Sequence, residues 1–241
     1  MERILIPTLG PCNWRGLLKD PVTQWKRTRS ALETAVSWEE AERRRGSRGL
    51  PISIASALDR TDELRDCELL VAMPEHRVQL DTAKAPSQCD VWALLRSQRG
   101  YVSLGVEAKA GEPFDETVHK WLSDDGPHEG RLKRLKWLCA ELGTDASLAV
   151  CGPLRYQLFH RTVAVLLEAK RWGAFVAVMV VQAFPGACSS LEDFRRFGKY
   201  LGADVEMDQL VSVPSHVEPR LYIGWISNPG ASDTDIAKAL V

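Results

Sequence analysis

Long apolar runs are missing from this sequence of 241 residues. The longest strongly apolar stretch, AFVAVMVV at 174–181, falls far short of the about 20 residues a bilayer-spanning helix takes, so no membrane segment is expected. An excess of charge of either sign is missing as well. The 31 basic and 32 acidic residues leave a formal net charge of -1, which gives no general attraction to polyanions and confines any nucleic-acid contact to local basic patches. Cysteines are few and scattered: Cys12, Cys67, Cys89, Cys139, Cys151 and Cys188 include no Cys-x-x-Cys pair, which argues against a zinc finger and a disulfide framework. With no secretory leader read in MERILIPTLG, the expected setting is reduced and cytoplasmic. The histidines His76, His119, His128, His160 and His216 show no His-Glu-x-x-His spacing. Absence of a Gly-x-Ser-x-Gly elbow removes support for a hydrolase triad. Absence of a phosphate-binding Gly-x-x-x-x-Gly-Lys loop and of a dinucleotide fingerprint argues against a nucleotide-driven motor or a dehydrogenase. Repeats and low-complexity tracts are also lacking.

What is present is the composition of a folded chain, 45% hydrophobic and 26% charged, read as one domain over residues 1–241. RTRSALETAVSWEEAER has helical character, with Leu32, Ala35 and Val36 on one face. Glu39 falls on that same face, where a core residue is expected; it is either a helix-end carboxylate reaching solvent or part of a site. A further helix is expected around 53–65, a short strand at HRVQLD (76–81), and two strands, QCDVWALLRS and GYVSLGVEAKA, around the turn SQRG at 97–100. EGRLKRLKWLCAELG (129–143) and GPLRYQLFHRTVAVLLEAKRWG (152–173) read as amphipathic helices. AFVAVMVVQAF has the Val-rich character of a strand covered on both faces. SLEDFRRFGKYLG supplies a late helix with Ser190 as cap, and RLYIGWIS a final strand. This order implies an α/β architecture, a mixed sheet with helices against it.

The informative segment is YVSLGVEAKA at 101–110. Its strict alternation puts Glu107 and Lys109 on one face, roughly 7 Å apart along the strand. The same tripeptide recurs at 168–170, but in a helical context, where residues two apart point in different directions. Pairing Arg96 with Tyr101 about the turn places Asp90 opposite Glu107, with side-chain bases roughly 5 Å apart. Like charges placed so destabilise a sheet unless something positive lies between them. A hard divalent cation such as Mg²⁺ would meet that need, since it takes carboxylate and carbonyl oxygens. Lys109 would then orient a water or stabilise charge building on a phosphate. The plainer alternative is a solvated strand face, and a register slip of one residue would turn Asp90 to the opposite side.

Asp90 followed by Glu107-Ala108-Lys109 on the next strand, after a helix carrying an acid, resembles the PD-(D/E)XK nuclease superfamily, whose restriction-endonuclease-like core runs helix, three strands, helix, strand. The segments WEEAE, PEHRVQL, SQCD, VEAKAGEPF and RYQLFHRT are more narrowly similar to an uncharacterised bacterial family within it, over residues 1 to about 200. The resemblance implies a restriction-endonuclease-like α/β fold, a mixed central sheet flanked by helices. It implies Mg²⁺, with Mn²⁺ able to substitute, held by Asp90, Glu107 and the backbone carbonyl of Ala108, and an attacking water positioned by Lys109. Glu39 would be the acid that the first helix brings to the metal, and Gln157 the glutamine that some branches carry on the following helix. The implied activity is metal-dependent phosphodiester hydrolysis, a nuclease acting on DNA. Two departures stand out: Arg161 occupies the position of the usual tyrosine four residues after Gln157, and Cys89 rather than proline precedes Asp90.

Phosphate-binding surface would come from Arg131, Lys133, Arg134 and Lys136 with Trp137, or from Lys26, Arg27 and Arg29 beside Trp25, unless these are ordinary solvated helix faces. Two other readings stand beside the nuclease. One is a catalytically inactive binding module with a nucleic-acid or protein partner. The other is an interaction subunit or homo-oligomer whose eight tryptophans partly mark interfaces. Glu75 and His76 are expected to line the same cleft behind the central residues, His160 to be a hydrogen-bonded structural histidine unless it assists the chemistry, and Glu112 to contact a neighbouring loop.

Overall fold

Six segments of alternating or Val-rich sequence form one mixed sheet. In the computed structural model, which describes residues 10–44, 46–81, 85–124, 128–214 and 218–240, the strands are β1 (Glu68–Val78), β2 (Ser87–Ser97), β3 (Gly100–Lys109), β4 (Val176–Ala183), β5 (Leu210–Ser212) and β6 (Arg220–Ser227). Their spatial order is β1-β2-β3-β4-β6-β5. β1, β2 and β3 pair antiparallel, β3 with β4 and β4 with β6 run parallel, and β5 returns antiparallel on β6. The helices are α1 (Pro21–Gln24), α2 (Ser30–Arg43), α3 (Ile52–Asp59), α4 (Val118–Ser123), α5 (His128–Glu141), α6 (Leu148–Cys151), α7 (Tyr156–Trp172), α8 (Leu191–Tyr200) and α9 (Asp233–Leu240). None of the described helices is long and apolar enough to cross a membrane. Of the segment read for a leader, MERILIPTLG, residues 1–9 lie outside the described residues.

The period of two in β3 sorts its side chains between two cores. Val102, Leu104 and Val106 pack with Leu32, Ala35, Val36 and Trp38 of α2 and with Ile54 and Leu58 of α3. On the other face lie α5, α7 and α8, whose Leu135, Leu158, Phe159, Val165, Phe194 and Phe197 form the second core with Met179 and Val181 of β4. All eight residues of β4 are buried, as a central parallel strand between two helical layers requires. Among the tryptophans, Trp14, Trp25, Trp38, Trp92 and Trp225 are core residues, so most of the expected interface role falls away.

The hairpin has the expected register, Arg96 with Tyr101 through Val91 with Val106. Helix α7 ends where Gly173 takes a left-handed conformation, φ 63°, and donates back to Ala169 and Lys170 carbonyls. It begins at Tyr156, later than the expected 152, because residues 148–151 form the separate turn α6. Three further expectations need correction, one being the helix expected around 53–65, which ends at Asp59 and is followed by a separate turn at Asp62–Leu64. The first strand is Glu68–Val78 rather than 76–81. Pro74 lies inside it, which β1 tolerates as a sheet edge, and that proline masked the strand in the sequence. Ser190 does not cap α8; its hydroxyl donates to the Glu112 carbonyl at 3.4 Å. The short strand β5 and the helix α9 were not foreseen, the first being only three residues long.

α7 crosses β3 at Gly105, where an added Cβ would lie 2.0 Å from Val165 Cγ2. Ser103, two residues earlier on the same face, donates to the Val165 carbonyl at 3.1 Å and accepts from Trp92 Nε1 at 2.9 Å. Valine in a helix has one strongly preferred rotamer, so it has little room to yield. Gly105→Ala is expected to lower stability by about 1–3 kcal/mol through overpacking, read as a lower urea midpoint at unchanged slope.

Candidate active site

Glu107 and Lys109, near the end of β3, point toward α7, because they share the parity of Ser103 and Gly105. Both are buried. Lys109 Nζ lies 2.7 Å from Glu107 Oε1, and Gln157 Nε2, in the first turn of α7, donates to the same oxygen at 2.7 Å. Gln157 Oε1 in turn accepts from Lys109 Nζ at 3.4 Å and from the Asp115 backbone N–H at 3.2 Å. One helical turn on, Arg161 Nε donates to Glu107 Oε2 at 2.7 Å. Arg161 also donates to Ser87 Oγ at 3.1 Å, and that oxygen lies 2.9 Å from His160 Nδ1. Both oxygens of Glu107 therefore hold protein donors.

Asp90 stands one position past the last paired rung of the hairpin. Its Oδ2 accepts the Ala108 backbone N–H at 2.6 Å, which brings the two acids together as the register implied. Oδ1 has no hydrogen-bond partner among the described residues. Asp90, Glu107, Ala108, Lys109, Gln157 and Arg161 line one cleft of about 570 Å³, together with Glu75 and Glu112. Lys19 and Arg29, both exposed, stand at its rim. Gln88 donates to Glu75 Oε2 at 2.6 Å, and Glu112 accepts from the Ser30 backbone N–H at 3.1 Å, tying the start of α2 to the strand end.

Glu39 is not part of this group. It sits on α2, across the sheet from α7, where Trp14 Nε1 donates to it at 2.9 Å and Arg43 lies 3.8 Å away. Its place on an apolar helix face is explained by that buried indole, and it does not line the cleft. The second Glu-Ala-Lys copy behaves as expected of a helix. Glu168 binds Arg171 and Trp172, whereas Lys170 reaches Glu141. His76 lies 3.6 Å from Glu168, away from the cleft. Of the basic helix residues, Arg131 and Arg134 are turned inward onto backbone carbonyls, and Lys133 pairs with Glu129. Arg27 pairs with Asp233.

Arg161 is the participant whose role sequence reasoning missed, having marked the absence of a tyrosine there and a polar stripe shared with Gln157 and Glu168. Its signal was the four-residue spacing from Gln157, which puts both on one helix face. The charge conflict foreseen between Asp90 and Glu107 is relieved by the protein's own cations, Lys109 and Arg161, while burial favours the protonated form of Asp90. Burial works to raise Glu107, but Lys109 and Arg161 outweigh it and hold that carboxylate below its ordinary range. Burial likewise works against the Lys109 ammonium, which Glu107 and Asp90 hold above the ordinary lysine value. Asp90 is pushed well above the usual carboxylate range, by burial first and then by the Glu107 and Glu75 charges.

The all-oxygen donor set of Asp90, Glu107 and the Ala108 carbonyl suits a hard cation such as Mg²⁺. Oδ1 of Asp90 is open to it, whereas Glu107 would first have to release a donor. No group of three His, Cys, Asp or Glu side chains placed to hold a metal occurs among the described residues, so water and backbone oxygens would complete the shell.

Among protein families, one described as Domain of unknown function (DUF6946) matches residues 7–230. No curated protein and no solved structure matches the chain.

Burial pushes Glu75 from an ordinary 4.5 up to about 7. The folded state thus keeps a proton that the unfolded chain releases, and stability falls as pH rises through that window. In EDTA, raising the pH from 5 to 8 is expected to cost the wild type about 1–3 kcal/mol more than it costs Glu75→Gln, measured by urea unfolding of both proteins at each pH.

Proposed function

The chain belongs to the DUF6946 family, and from that premise we propose that it is a metal-dependent phosphodiester hydrolase, a nuclease acting on DNA. The observation that carries this reading is the convergence of Asp90, Glu107, Lys109 and Gln157 in one cleft at the end of β3. With α3 and α4–α6 set aside as insertions, the order α2, β1, β2, β3, α7, β4 resembles that of a restriction-endonuclease-like core and supports that fold assignment.

Asp90, Glu107 and the Ala108 carbonyl would hold Mg²⁺, or Mn²⁺ in its place, and the ion would supply Lewis-acid stabilisation of the phosphate and a more acidic water. Lys109 stays an ammonium beside Glu107 and donates to the attacking water or to charge developing on the phosphate. Gln157 orients both partners, giving a hydrogen bond to Glu107 and accepting one from Lys109. Lys19 and Arg29 offer phosphate contacts at the rim, a local basic patch in a chain of net charge -1.

A second reading, an inactive binding module of the same fold, is favoured by one observation: both Glu107 oxygens are already taken by protein donors. Purified protein should nick plasmid or degrade linear or single-stranded DNA in Mg²⁺ or Mn²⁺, and Lys109→Ala and Asp90→Ala should each lose about 100-fold or more in rate. Circular dichroism must show both variants folded, since each removes a member of a buried charge network. Cleavage persisting unchanged in both variants ends the nuclease reading.

Arg161 competes with any cation for Glu107 Oε2. Arg161→Gln is therefore expected to bind Mn²⁺ about tenfold tighter by calorimetry without DNA, a gain of about 1.4 kcal/mol. Arg161→Lys, which keeps the charge but not the guanidinium geometry, should gain less.

A further inference from the structure

A second void lies beside the cleft and has no role in the chemistry above. Its volume is about 370 Å³, and Pro86 lines both it and the cleft, so the two adjoin. Trp121 and Tyr156 form its aromatic lining, stacked with centroids 3.7 Å apart and planes 10° from parallel. His160 leans on Tyr156 at 5.0 Å. The guanidinium of Arg131 lies 5.7 Å from the Trp121 ring. Arg134 donates to the Ala85 carbonyl at 2.8 Å, while its Nε is buried with no hydrogen-bond partner among the described residues.

Among the described residues no carboxylate lines this pocket; Asp81, outside the lining, lies 3.6 Å from Arg134 Nη1. Burial, then Arg161 and Arg134, hold His160 well below its ordinary value, so its ring is neutral at physiological pH. Burial pushes the Tyr156 phenol up to about 12, so it too is neutral. Among the described residues, the charged groups of the lining are thus the Arg131 and Arg134 guanidiniums. A ligand matched to this lining is flat and aromatic, forms hydrogen bonds at its edge, and carries negative charge at one end.

We propose that the pocket seats one unpaired nucleobase of a single-stranded nucleic acid against the Trp121–Tyr156 stack, with the adjoining phosphate between Arg134 and the cleft. The proposal rests on the phosphodiesterase reading and names its substrate class. Arg161 and His160 are consecutive on α7, one lining the cleft and the other the pocket, so a chain seated in one continues into the other. A base held in a duplex is stacked and paired, and would first have to be extruded to enter such a pocket. Arginine and aromatic faces suit any base, so preference for single strands without strong sequence preference follows.

The test is anisotropy with a fluorescent 15-residue oligothymidylate, and with the same strand in a duplex, in EDTA so that no cleavage occurs. The wild type is expected to bind the single strand about tenfold or more tighter than the duplex. Trp121→Ala and Arg134→Gln are each expected to weaken single-strand binding by about tenfold, with duplex binding little changed. Trp121→Phe, which keeps a ring, should recover most of the loss and guards against a folding defect. Equal affinity for duplex and single strand overturns the proposal, as does single-strand binding unmoved in both variants. A phosphotyrosine peptide that competes for the pocket where oligothymidylate does not bind also overturns it. The binding arm needs no catalysis, so an inactive protein that still shows the pattern keeps the pocket and loses only the nuclease. Metal-dependent cleavage confined to duplex keeps the nuclease and loses the pocket.

Discussion

The Glu107 carboxylate is the point on which this structure turns. It is buried at the end of a central strand and satisfied by three side chains, Lys109 from its own strand and Gln157 and Arg161 from the helix above. A carboxylate taken out of water is tolerated only when its charge and lone pairs are met in full, and removing one partner of such a group costs far more than an exposed pair is worth. The network therefore ties α7 to β3 at one end, as the Gly105–Val165 approach ties them in the middle. Between these two fastenings the polar residues of the helix are held in register with the polar face of the strand.

The same network sets the state of the site. Lys109 is kept charged by the acids around it, and Asp90 is driven toward its protonated form by burial and by the neighbouring carboxylates. A cation arriving at Asp90 would reverse that second effect, because a nearby positive charge favours the ionised acid. It would also contest Glu107 with Arg161. The folded chain thus balances its own charges, and under the proposed function a metal would have to displace a guanidinium rather than fill an unmet need.

Much of this was legible in the chain. The alternation in YVSLGVEAKA and the short turn before it set the hairpin register, and that register carries Asp90 to Glu107. The Val-rich 174–184 segment announced a strand covered on both faces, which β4 is. Glu39 was placed on its helix face correctly, yet its partner Trp14 is 25 residues away in the chain and the sheet stands between it and Glu107. Helical spacing could pair Gln157 with Arg161 but could not say what either would meet. The void lined by Trp121, Arg134 and Tyr156 was not visible at all, since it is assembled from α4, α5, α7 and the segment leading into β2.

Local periodicity, turn length and the chemistry of Glu-x-Lys on a strand were sufficient to determine the α/β pattern, the hairpin and the identity of the central acids and lysine. Those features depend on covalent neighbours and on the fixed two-residue repeat of a strand. Tertiary structure alone decided that Arg161 would neutralise Glu107, that Glu39 would serve Trp14 instead, and that an aromatic pocket would open beside the cleft. Each of these depends on which helix lies over which face of the sheet, and that is settled by the burial of whole apolar faces and not by any short run of residues.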